Sequence, residues 1–262
     1  MSDDSSEQTA TKPVLLRGWR LALIALFLTV FLYFASQVFG ALLVGLYGML
    51  SHVSLHGTLS QIDSSAYAQF ALTLVLYGFM LAGIWLSLRL FRWKWQTIGL
   101  KTPEWWHVVL GIVAFVPYFV LLAIIVAIVK HVFFPSLDLH QKQDIGFNGV
   151  SGTVPLVFAF ASLVVVPPIV EEIVMRGFLY TSLKKWLPAI IAAVVVSILF
   201  GMAHLPEGGG AGPLWVGAID TFTLSMVLVF LREVTGNLWA GVTLHALKNF
   251  VAFVALFLIT QR

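Results

Sequence analysis

The sequence predicts an all-α fold: a polytopic transmembrane helix bundle of about seven spans, within a range of six to eight. Three observations carry this. The 262 residues are 60% hydrophobic and only 10% charged, where soluble proteins carry about 25% charged residues. Mean hydropathy is +0.96 over the whole chain, which leaves little length for a separate water-soluble domain. Seven segments also reach the roughly 20 apolar residues that a helix needs to cross a bilayer.

In chain order, residues 1–16 read as a disordered cytosolic tail, because the stretch through Lys12 is polar and carries Asp3, Asp4 and Glu7. Residues 17–262 read as a single transmembrane domain, with scaffold helices in 17–150 and catalytic core helices in 151–259. The first apolar run, 21–50, is too long for a signal-peptide core and no cleavage site follows it, so it reads as a retained membrane helix. The spans are expected near 21–46, 67–90, 107–129, 154–183, 188–204, 214–231 and 238–259. Loops alternate in charge. Lys12, Arg17 and Arg20 precede the first span, and Arg89, Arg92, Lys94 and Lys101 follow the second. Lys184 and Lys185 follow the fourth, and Arg232 follows the sixth. The intervening loops hold only Lys130 and Lys142. Positive-inside placement then puts the N-terminus in the cytosol, with Trp93, Trp95, Trp105 and Trp106 as an interfacial belt. Basic residues in these positions report topology, and no nucleic-acid partner is expected. The absence of cysteine excludes disulfides, thiolate metal sites and cysteine nucleophiles.

Ionisable side chains inside membrane spans are costly and usually face a partner or a wet cavity. The middles of the first three spans contain none. The last four contain Glu171, Glu172, Arg176, His204, Asp220, His245 and Lys248. Pro167 and Pro168 lack amide hydrogens, so the fourth helix is expected to break there and restart, with the two glutamates near its new first turn. Glu172 and Arg176, four residues apart, share a helix face and read as a supporting ion pair. Glu171 points about 100° away and is left to face a cavity. Glu171 and His204 each lie about 16 residues from the turn near Leu187, which puts them at one level of an antiparallel hairpin, about 25 Å along at 1.5 Å per residue. His245 and Asn249 share a face of the seventh span. Asp220 and Lys248 lie apart from this group and are expected to pair with one another.

This residue set suits water activation and oxyanion stabilisation. A glutamate in an apolar pocket becomes a better general base, and His or Asn can donate to a tetrahedral oxyanion. The alternative is a zinc ion held by Glu171, His204 and His245 with a position open for water. The single-helix His-Glu-x-x-His signature is absent.

The motifs Glu171-Glu172-Ile-Val-Met-Arg176, Phe200-Gly-Met-Ala-His204 and His245-Ala-Leu-Lys-Asn249 resemble those of the type II CAAX prenyl endopeptidases and their prokaryotic relatives, the CPBP (Abi) intramembrane peptidases. The resemblance covers roughly residues 154–249. It implies an intramembrane endopeptidase in which Glu171, assisted by His204, activates water. His245 and Asn249 would bind the oxyanion, and Glu172 and Arg176 would orient the motif. The family has been described both as metallopeptidase and as metal-independent glutamate peptidase. The implied partners are membrane lipid and a membrane-associated or lipidated peptide or protein, of prenylated CAAX type by analogy. The implied location is a bacterial cytoplasmic membrane. The competing readings are a catalytically silent membrane adaptor, a bacteriocin self-immunity protein of the same fold, and a proton relay or transporter.

Overall fold

A computed structural model describes residues 18–147 and 150–259; the expected tail lies outside this range. Seven helices are long and apolar enough to cross a membrane: span 1 Gly18–Leu50, span 2 Ala66–Phe91, span 3 Trp105–Phe133, span 4 Thr153–Leu183, span 5 Ala189–Gly209, span 6 Trp215–Thr235 and span 7 Trp239–Ile259. The expected spans are all present, most of them extended by a few residues. A short helix, Leu55–Asp63, stands where a loop was expected; Ser54 caps it by accepting from the Gly57 amide.

Packing follows membrane rules, in which small residues face neighbouring helices and large apolar ones face lipid. Span 1 buries Ala22, Ala25, Thr29, Ser36, Gly40 and Gly48 along one stripe, while Phe27, Phe31, Phe34 and Leu42 are exposed. Span 1 packs on span 2 and on the end of span 4. Span 2 packs on the start of span 4, span 3 packs on spans 6 and 7, and span 5 packs on span 6. The closest approaches use glycine. A Cβ on Gly111 would fall 2.6 Å from the Ala240 carbonyl of span 7, and one on Gly201 would fall 2.7 Å from the Ala218 carbonyl of span 6.

The bundle has two unlike ends. One gathers the span 2–3 loop, the span 4–5 turn and the span 6–7 turn, and so most of the lysines and arginines. There Lys185 Nζ sits 3.9 Å over the Trp93 ring, and Trp239 Nε1 donates to the Lys101 carbonyl. The other end carries the short helix and the loops after spans 3 and 5. Those two loops are laced together: the Asp144 amide donates to the Glu207 carbonyl at 2.7 Å, and Gln143 Nε2 donates to the Glu207 carboxylate at 2.7 Å.

Span 4 corrects one expectation. It does not break at Pro167 and Pro168. Residues Ala161–Val165 widen into a π turn, an α segment Val166–Glu172 carries the prolines in its second and third positions, and a second π stretch follows over Ile173–Leu179. The glutamates therefore end the α segment instead of opening it. A π turn absorbs the missing amides without ending the helix, and such turns recur at functional sites.

Candidate active site

Loss of the proline amides leaves span 4 carbonyls without α-helical partners. The Leu163 carbonyl would bond to residue 167, a proline. Asn249 of span 7 replaces that donor: its Nδ2 donates to Leu163 O at 2.9 Å. The proline pair thus creates the acceptor that docks Asn249 against span 4.

The two glutamates enter different surroundings. Glu172 is 1% exposed. Its Oε1 lies 3.0 Å from Arg176 Nη1 and 3.4 Å from His245 Nδ1, and its Oε2 is so close to span 7 that a Cβ on Gly241 would come within 2.9 Å. Arg176 is fully buried, with its guanidinium 4.4 Å over the Phe200 ring. Phe200 in turn packs edge-on to both His204 and His245. One relay therefore runs from Arg176 through Glu172 to His245 Nδ1. With Nδ1 facing Glu172, the far nitrogen Nε2 points onward, 3.7 Å from Glu171 Oε2. That is too long for a direct hydrogen bond and fits two groups flanking a shared reactant.

Glu171 turns toward a cavity of about 370 Å³ at the bundle end with the short helix, which it lines together with His204, His245 and Asn249. Its Oε1 accepts a 2.6 Å hydrogen bond from Tyr77 of span 2. Among the described residues its Oε2 accepts none. His204 ends the α-helical part of span 5, where Leu205 and Pro206 begin a 3-10 turn. There the helix leaves the Phe200 carbonyl to His204 Nδ1, at 2.7 Å. Nδ1 carries the hydrogen, so Nε2 is the nitrogen left for chemistry; Glu207 Oε1 lies 4.0 Å from it.

All four residues expected to be catalytic therefore meet around one cavity, and the two expected to support them sit behind it. Asp220 and Lys248 do pair, at 3.1 Å, and the Tyr118 hydroxyl donates to the other oxygen of Asp220. Lys248 also lines the cavity. Sequence reasoning missed Tyr77, Gln69, Asp144 and Glu207, all on the cavity wall. Gln69 Oε1 accepts from the Phe147 amide at 3.0 Å, and Gly146 at φ +66° leaves room for it, since a Cβ there would fall 2.4 Å from that oxygen. A neutral tyrosine or glutamine in an apolar run gives no charge signal. The visible cue was position: Tyr77 lies near the middle of span 2.

A metal finds no ready-made ligand set here. Among the described residues no group of three His, Asp or Glu side chains is placed to hold a metal ion.

The fold defines a multi-pass integral membrane protein with a cavity of about 370 Å³ held between its helices, lined by both polar and apolar side chains. Residues 153–251 match the family model "Type II CAAX prenyl endopeptidase Rce1-like". All three motifs lie within this matched segment, the same part of the chain that carries the resemblance. No curated protein matches the chain, and no solved structure matches it.

Proposed function

We propose that this protein is an intramembrane endopeptidase that hydrolyses a peptide bond in a membrane-associated protein or peptide, of CAAX type by family resemblance. The observation that carries the reading is the convergence of Glu171, His204, His245 and Asn249 on one cavity, from three different spans. The same resemblance, to prokaryotic members, favours a bacterial cytoplasmic membrane.

Glu171, with its Oε2 uncommitted, takes a proton from a water held between it and His204, and the water oxygen bonds to the scissile carbonyl carbon. The oxyanion accepts from His245 Nε2–H, the ring being oriented by Glu172 behind it, and from the second N–H of Asn249, whose first is held by Leu163 O. As the C–N bond breaks, Glu171 returns its proton to the leaving amine. Tyr77 keeps Glu171 in place through Oε1. Leu72 and Leu76 of span 2 and Phe253 and Leu256 of span 7 also line the cavity, which suits a substrate presented from the bilayer.

The test is Glu171→Gln in the full-length protein, assayed on a membrane-anchored reporter peptide. Turnover is expected to fall about 10²–10⁴-fold, the usual worth of a positioned general base, with the thermal unfolding midpoint unchanged. Undiminished cleavage overturns the assignment. A Glu171→Gln protein that still complements a deletion strain would favour the silent adaptor.

A further inference from the structure

A second cavity, of about 420 Å³, lies at the opposite, basic end of the bundle and shares no residue with the first. It sits between the ends of spans 4 and 6 and is lined by Tyr180, Thr181, Lys184, Lys185, Arg232 and Glu233, among others. Glu233 makes its direct ion pair with Lys184, both oxygens accepting from Nζ, and acts on Arg232 only through space. Lys185 and Arg232 then stand as two cations with no salt bridge among the described residues.

Both are built into the site. The Arg232 guanidinium lies against Gly99, where a Cβ would fall 2.4 Å from Cζ, so the backbone of the span 2–3 loop fixes its position. Its Nε is buried and has no hydrogen-bond partner among the described residues. Lys185 is held over Trp93, and partial burial pulls its ammonium below the ordinary lysine range, a cost that a nearby anion offsets. Lys101 approaches from the far side, 3.6 Å from where a Gly236 Cβ would stand. Phe230 and Val234 of span 6 and Trp186 of the span 4–5 turn are exposed close by. The surroundings thus combine an interfacial tryptophan, an apolar flank and paired cations at a helix end.

We propose that this cavity binds the headgroup of an anionic phospholipid, with its phosphate between Lys185 and Arg232 and its acyl chains along the exposed side of span 6. Basic pockets between helix ends at a membrane surface suit such headgroups, and a fork of guanidinium donors suits phosphate oxygens.

The experiment uses the purified full-length protein in neutral detergent, titrated with dioctanoyl phosphatidylglycerol or dioctanoyl phosphatidylcholine and read by native mass spectrometry. Phosphatidylglycerol is expected to bind more tightly. Lys185→Gln and Arg232→Gln should each weaken it about fivefold, the worth of one cation near a charged lipid surface. Lys94→Gln, on the same face but outside the cavity, should leave it unchanged. Equal binding of the two lipids overturns the proposal, as does an equal loss in Lys94→Gln, which would mean diffuse surface charge. Displacement of the lipid by inorganic phosphate at the same concentration also overturns it, in favour of a small-anion site. Arg232 packs against the backbone, so its variant is checked by its unfolding midpoint. Lys185→Gln, at the surface, carries the test if Arg232→Gln is unstable.

Discussion

The first three spans and the last four divide the polar work of this protein by charge. Spans 4 to 7 supply the ionised and ionisable groups: Glu171, Glu172, Arg176, His204, Asp220, His245 and Lys248. Spans 1 to 3 supply neutral hydroxyls and amides that hold them. Tyr77 donates to Glu171, Tyr118 donates to Asp220, Tyr33 donates to the Ala203 carbonyl beside His204 at 3.1 Å, and Gln69 accepts from the loop that covers the cavity. A charge in a bilayer is expensive and demands a reason at every position, whereas a tyrosine carries an apolar ring with one polar tip and costs far less. The N-terminal half is thus both a lipid-facing wall and a source of hydrogen bonds to the ionisable groups of spans 4 to 7.

That division can be broken experimentally, beginning where the effect is largest. Removing the proposed base by Glu171→Gln is expected to be the most damaging change to turnover. Loss of Asn249 to Ala comes next, with kcat expected to fall about 10²–10³-fold, as for loss of one oxyanion donor; part of that loss will reflect the unpartnered Leu163 carbonyl. Breaking the buried pair from one side, by Arg176→Met, should destabilise the fold by about 3–5 kcal/mol because it strands the Glu172 carboxylate. Adding Glu172→Gln to Arg176→Met should recover much of that stability in a thermal melt, but not activity, because His245 Nδ1 then loses its carboxylate. On the N-terminal side, Tyr77→Phe should lower kcat/KM about tenfold, the value of one hydrogen bond to a charged group near 1.5 kcal/mol. An unchanged Tyr77→Phe enzyme would return spans 1 to 3 to the role of plain scaffold. The smallest effect belongs to a lipid-facing position: Phe31→Leu should shift stability by less than about 0.5 kcal/mol and leave turnover alone.

Much of the site was legible because its residues are rare in their surroundings. A proline pair followed by two carboxylates, and histidines near the ends or middles of apolar helices, stand out against a background of Leu, Val, Ile and Phe. Helix periodicity sufficed to separate Glu171 from Glu172. The π turns around the prolines were not legible, because the sequence marks where amides are missing and not how the backbone makes up for them. Here a side chain from 86 residues away, Asn249, supplies a donor. The covering loop was equally hidden. Its place over the cavity depends on Gln69, Gln143 and Asp144 meeting partners far along the chain.

By itself the sequence determined that the chain spans a membrane about seven times, which spans carry the charges and which helix faces they share. Those properties are local, set by the length of apolar runs and a 3.6-residue period. Only the tertiary structure decided which spans touch, and therefore that Tyr77 bonds to Glu171, that Glu172 faces His245 and that Lys185 and Arg232 line one cavity at the far end. Contacts of this kind depend on close approach between helices, through small residues such as Gly111, Gly201 and Gly241, and no periodicity along one helix records which neighbour will fill the gap.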